Sequence, residues 1–356
     1  MVDWELAISV ASRLAGPGPE VSRSEADAVV AELREDAARS TSLVREYTGL
    51  VAADATAPLL VVDRPGWIRA NTESFDLLLT PFVDKVTAKK GPPSGFTKAL
   101  GSRVTGAEIG AVLGFLGGKV LGQFDPFFTG LADDRAERSA IGLATPSYGG
   151  RLLLVAPNIV QVERELDVDP EDFRLWVCLH EETHRVQFTA VPWMRDHFYE
   201  QIGRLSDVIE PTRLLDDGLK GLSEALKGES HGSLLDILGS PEQREIMDHL
   251  TGVMSLLEGH ADVVMDGVGP SVIPSVKDIR KKFTRRRQGV GMLDKFLRRA
   301  LGLDAKMAQY RDGAKFVRAV VDKAGMAEFN AVWDNPKNLP SKAEIADPQA
   351  WIARVL

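Results

Sequence analysis

Apolar residues in this chain recur mainly at three- and four-residue intervals, the period of an amphipathic helix. Ser22 and Glu25 stand in capping-box spacing, and Val29, Leu33, Ala37, Val44 and Tyr47 then follow at helical period. The same reading predicts helices over 170–189, 193–207, 241–266, 275–287, 292–301, 304–324 and 326–333. Two short runs break the period. Leu59-Leu60-Val61-Val62 ends at Asp63-Arg64-Pro65-Gly66 and suits a strand or a buried turn of helix. Arg151 to Ala156 is the best strand candidate, closed by Pro157-Asn158, while Lys-Lys-Gly-Pro-Pro-Ser-Gly over 89–95 is a breaker. The expected class is therefore mainly α with a small β component. Two lobes are expected, 1–150 and 151–356, divided near Tyr148-Gly149-Gly150.

Gly106, Gly110, Gly114, Gly118 and Gly122 fall four apart, among Ile109, Val112, Leu113, Phe115, Leu116, Val120 and Leu121. A helical glycine costs about 1 kcal/mol against alanine. Five on one stripe of an N-terminal-lobe helix imply a backbone very close to a neighbour. Glu108 and Lys119 interrupt a stretch of only about 17 residues, too short and too charged for a membrane span. No Gly-Lys-Ser/Thr run supports a phosphate loop.

At 356 residues, with 44% hydrophobic and 26% charged side chains, the chain can bury a large core without disulfide or structural metal. The single cysteine, Cys178, excludes an intramolecular disulfide. Acidic residues stand where a secretory signal would be basic, so the expected setting is the cytoplasm, away from membranes. A net charge of −8 argues against general affinity for nucleic acid. The one dense basic helix, Lys277, Arg280, Lys281, Lys282, Arg285, Arg286 and Arg287, is expected to be solvated or to meet acidic parts of the protein.

The chemistry concentrates in His180-Glu181-Glu182-Thr183-His184. Asp169 is a good N-cap, Pro170 suits the first helical position, and Glu171 and Asp172 complement the dipole. On such a helix His184 lies about 40° around from His180 and one turn along, so both imidazoles project to the same side. Two nitrogens can then share a zinc ion, with Glu181 beside it as general base for a metal-bound water. Cys178 points elsewhere and is expected to be a buried thiol. Glu182 reads as an ordinary satisfied or solvated acid.

A catalytic site needs a third protein ligand. Glu258 is the preferred candidate, on a small polar face with Thr251, Ser255, Gly259 and Asp262 that would wall a cleft. Asp262 would hold a ligand histidine by its other N–H. His260, rotated among Val253, Leu256, Leu257, Val263 and Val264, is the alternative ligand. An oxyanion partner remains open among His231, His260, Tyr199, Arg185 and Tyr310. His197, His231 and His249 have no motif around them and are expected to be structural or exposed.

His180 to Phe188, Leu257 to Asp266, Val120 to Asp125, Gly302 to Tyr310 and Leu339-Pro340 together resemble the zincin-like hydrolases of actinobacterial type. That family is also described as zinc-dependent metalloproteases, and as associated with biosynthesis of a deazaflavin coenzyme. The resemblance runs over nearly the whole chain. It implies a largely helical zincin-like metallohydrolase with an N-terminal helical lobe, zinc ligands at His180 and His184, and a base at Glu181. The spacing of Glu258 and Asp262 is similar to that of glutamate-zincins such as thermolysin. The chain departs from secreted zincins in showing few strands for a substrate-pairing edge. The expectation is a cytoplasmic zinc hydrolase of the peptidase kind, acting on a peptide or protein. The alternative is a catalytically silent zincin-like assembly protein that keeps its metal site, a homo-oligomer being compatible with either.

Overall fold

A computed structural model of the chain describes residues 2–52, 57–90, 95–128, 149–208, 240–288 and 303–356. Helices α1 (Trp4–Ala15) and α2 (Arg23–Thr48) precede strand β1 (Leu59–Val62) and helices α3 (Arg64–Lys90) and α4 (Gly95–Gly117). Strands β2 (Gly122–Asp125) and β3 (Arg151–Val155) are followed by α5 (Ala156–Leu166), α6 (Pro170–Thr189) and α7 (Met194–Val208). Helices α8 (Pro241–Gly267), α9 (Val276–Gln288) and α10 (Leu303–Ala324) come next. The short helices α11 (Met326–Phe329), α12 (Lys342–Ala346) and α13 (Pro348–Val355) close the chain. The mainly helical class with a small sheet is as expected. The single helix expected over 326–333 splits, however, into α11 and a 3₁₀ turn at Asn330–Trp333. The helix expected at 292–301 lies outside the described residues. Among those described, no helix is long and apolar enough to cross a membrane.

The chain divides into two compact units. The first holds Met1–Val44, Val51–Thr189 and Pro270–Ile279; the second holds Arg45–Leu50, Ala190–Gly269 and Arg280–Leu356.

In the first unit the strand order is β1-β3-β2, with β1 parallel and β2 antiparallel to the central β3. Every residue of β3 is buried. Leu153 and Val155 meet Ala11, Ala15, Trp67, Ile68 and Leu113, whereas Leu152 on the other face meets Phe124, with Phe188 against it. A strand covered on both faces has to be apolar throughout, which is why residues 152–155 read as an unbroken run. Arg151 opens β3 as a buried but fully used guanidinium. It donates to Asp125 Oδ2 (3.0 Å), Glu73 Oε2 (2.7 Å) and the carbonyl of Ala70 (2.5 Å).

The glycine stripe is real over part of its length. A Cβ on Gly110 would stand 2.7 Å from the carbonyl oxygen of Ala7 in α1, and one on Gly114 2.9 Å from that of Ala11. But α4 stops at Gly117, and Gly122 opens β2, so the five glycines do not share one helix. The reason lies far along the chain. The Asn158 side chain donates to the carbonyls of Gly117 (2.8 Å) and Val120 (2.7 Å), capping the helix end and turning the chain into the strand.

Helix α2 buries a carboxyl cluster against α6. Arg174 donates to Glu163 (2.6 and 3.0 Å) and to Glu32 (2.5 Å). Asp36 is left out of this arrangement, its Oδ2 buried with no hydrogen-bond partner among the described residues. Burial first, and the Glu32 carboxylate second, raise the Asp36 pKa to about 6.

In the second unit α8 and α10 cross so closely that a Cβ on Gly259 would meet the Gly313 carbonyl carbon at 2.2 Å. Trp351, Phe316 and Phe329 form the adjacent core.

Two outcomes follow from this packing. Gly110→Ala gains helix propensity of about 1 kcal/mol but must push α1 from α4, at a cost of roughly 1–3 kcal/mol. Its urea midpoint should fall with an unchanged m-value. For Asp36, the folded state holds a proton up to about pH 6, against 3.8 for the free group, so stability falls as pH rises through that window. Asp36→Asn should therefore raise the melting temperature by a few degrees at pH 7.5, with the gain closing near pH 4.

Candidate metal centre

Helix α6 is built to hold its register. Asp169 Oδ1 accepts from the Asp172 amide (3.0 Å), the expected N-cap, and Asp172 Oδ2 accepts from the amide of Ser275 (2.7 Å). Phe173, Leu175, Trp176, Val177, Leu179 and Val186 are buried along its length. Cys178 is fully buried, and burial followed by the nearby Asp36 charge pushes its thiol pKa well up. It is a packing residue, as expected.

The two histidines do project together. Their Nε2 atoms lie 3.1 Å apart, with the rings edge to face at 88°. His184 Nδ1 donates to Gln187 Oε1 at 2.9 Å. An amide oxygen only accepts, so the proton of neutral His184 sits on Nδ1 and its Nε2 lone pair faces His180. Gln187 is completely buried and therefore holds the ring rigidly. The 3.1 Å separation suits one tetrahedral ion, since nitrogens about 2.0–2.1 Å from it would subtend roughly 100°. Gln187 was missing from the sequence reading, although its i+3 spacing from His184 was the available signal.

Glu181 is buried, at 6% exposure, and lies against the start of β2. A Cβ on Gly122 would stand 2.5 Å from Glu181 Cγ and 2.9 Å from Oε1. The glycine is what admits the carboxylate, a role hidden by reading Gly122 as part of a helix stripe. Among the described residues β2 is an outer strand of the sheet.

Among the described residues one group of three metal-ligating side chains converges: His180, His184 and Glu258 each offer a ligand atom, all within 4.8 Å of one another. This donor set of two imidazoles and a carboxylate fits a zinc-type ion. The other candidates are engaged elsewhere. His260 is completely buried, its ring 5.4 Å from both Phe329 and Trp333. Asp262 accepts from Arg280 Nη1 (3.0 Å), and the histidine partner seen among the described residues is Gln187, at His184 Nδ1. Arg280 also bonds Asp266, so the basic helix meets acids of the protein as expected. Ser255 and Gly259 do not wall a cleft, being buried where α8 meets Gly313.

Of the oxyanion candidates, Arg185 is committed to Glu182 (2.6 and 2.7 Å) and Thr41 (3.0 Å), which also makes Glu182 a satisfied acid. Tyr199 is exposed beneath the Arg195 guanidinium. His231 and the Tyr310 side chain lie outside the described residues. His197 and His249, expected to be structural or exposed, pair with each other at 2.8 Å.

Comparison with known proteins converges on one description. A family model for zincin-like metallopeptidases matches residues 2–352. A solved structure from Chloroflexus aurantiacus, described as a candidate hydrolase with a novel fold, is similar at 32% sequence identity and a TM-score of 0.70. The match covers 99% of this chain and 98% of that one. No curated protein matches.

The Gln187 bond has a measurable consequence. Gln187→Met keeps the volume but removes the acceptor from His184, so zinc affinity should fall by about 10–100-fold with the fold retained. Competition against a chromophoric chelator would read the change.

Proposed function

Since the chain belongs to the zincin-like metallopeptidase family, we propose that it is a zinc-dependent peptidase in which His180, His184 and Glu258 hold the metal and Glu181 is the general base. The observation carrying this reading is the convergence of the three ligand atoms within 4.8 Å, with Glu181 one position from the first of them. When bound, zinc would lower the pKa of a water ligand towards about 7 and polarise a carbonyl oxygen.

The remaining work falls to the chain's own groups. Glu181 takes the proton from water as its oxygen bonds to the scissile carbonyl carbon. It returns that proton to the amide nitrogen as the C–N bond breaks, so the carboxylate is regenerated. Gln187 keeps the His184 proton on Nδ1 throughout, reserving Nε2 for the metal. Among the described residues β2, beginning at Gly122 beside Glu181, has an outer edge whose main-chain groups would pair with an extended peptide. The proposed substrate is accordingly a peptide or an unfolded protein segment, and the proposed setting is the cytoplasm.

Glu181→Gln separates binding from chemistry. Metal content should stay at the level of the unmutated chain while peptide hydrolysis falls by about 10²–10⁴-fold. Glu258→Ala should instead lose the metal. Hydrolysis surviving in Glu181→Gln would refute the mechanism. A zinc-loaded wild type inert towards a diverse peptide library would favour the silent assembly protein.

A further inference from the structure

The geometry points to a second metal site, formed by His197 of α7 and His249 of α8, that takes a borderline divalent ion such as Cu²⁺, Ni²⁺ or Zn²⁺. The site is separate from the one at His180 and does not depend on it.

The two imidazoles come from different helices and meet Nε2 to Nε2 at 2.8 Å, with ring centroids 5.1 Å apart. Two lone pairs cannot face each other at that distance, so one ring donates its Nε2 proton to the other. A cation can replace that proton. The donor ring shifts its hydrogen to Nδ1 through solvent, both rings then present lone pairs, and the gap opens by a few tenths of an ångström to suit metal–nitrogen bonds of about 2.0–2.1 Å.

Three further features favour the exchange. Both rings are half-buried, and burial lowers both pKa values, keeping the pair in the neutral form that ligates. The Trp193 ring stands edge-on to His197 at 5.8 Å, and its indole N–H is fixed to the Trp333 carbonyl (2.9 Å), which limits rotation of the imidazole. Exposed Glu200, one turn after His197, and exposed Glu245, one turn before His249, each act electrostatically on their own histidine. Their negative charge favours a bound cation over the neutral pair. Arg204 opposes them by its charge near His249, but it is exposed and reaches Gln201 only at 3.4 Å. Because α8 also carries Glu258, an ion here would tie that helix to α7.

The test uses Cu²⁺, the tightest binder of the divalent series to nitrogen ligands. A His180→Ala/His184→Ala chain should still bind one Cu²⁺ with nitrogen hyperfine splitting from two imidazoles. Adding His249→Ala should weaken that binding at least tenfold, and adding Arg204→Gln should tighten it. In the unmutated chain two equivalents are expected, of which His249→Ala removes one, so the result stands even if the double variant fails to fold. Absence of a second equivalent in the unmutated chain would overturn the site. So would a second equivalent that is indifferent to His197→Ala and His249→Ala. Neither result bears on hydrolysis at Glu181.

Discussion

Two imidazole nitrogens held 3.1 Å apart on one face of α6 are the constraint on which the rest turns. Converging lone pairs repel unless a proton or a cation stands between them, so the arrangement has to be imposed by the surroundings. The imposition is visible. Asp169 and Pro170 start the helix, a nearly continuous buried surface seats it, and the buried Gln187 amide settles which nitrogen of His184 carries hydrogen. The Arg185–Glu182 pair, extended to Thr41, pins the same helix to α2 through a guanidinium that is then unavailable for catalysis. The buried groups that impose this geometry, Gln187, Glu182 and Arg185, are themselves hydrogen-bonded.

The Glu181 carboxylate, the proposed base, depends on a different device, the omission of a side chain. Glu181 occupies space that any Cβ at position 122 would claim, so the edge strand and the helix can approach closely enough to share one small region. The sheet exists largely to make that approach possible. Its central strand is buried on both faces, and its antiparallel neighbour starts against Glu181 and ends at Asp125, locked to Arg151. A fold with three short strands can thus serve a helix-borne site, provided that the edge strand is the one beside it.

What could be read from the chain follows the range of each signal. The His-Glu-x-x-His spacing, its N-cap and the burial of Cys178 are local to one helix, and periodicity alone conveys them. The helix carrying Glu258 was legible for a similar reason, and periodicity put that carboxylate on a small polar face away from His260. Strand β2 was not, because Gly-Gln-Phe-Asp has neither length nor β-branching, and its glycine fell in step with an apparent helical repeat. The stop at Gly117 is dictated by Asn158, well downstream, which no local pattern contains. The bond from Arg280 to Asp262 was not legible either, because Arg280 arrives from a separate helix. The His197–His249 pair escaped for the same reason: each histidine is unremarkable on its own helix, and only tertiary structure joins them.

The most direct measurement is anomalous diffraction at the zinc edge from crystals of the unmutated chain grown with stoichiometric zinc. The account predicts a peak about 2.0–2.2 Å from both His180 and His184 Nε2 and from a Glu258 carboxylate oxygen, with one position left to solvent. A peak lacking Glu258 or either histidine, or one closed by four protein ligands, would contradict it.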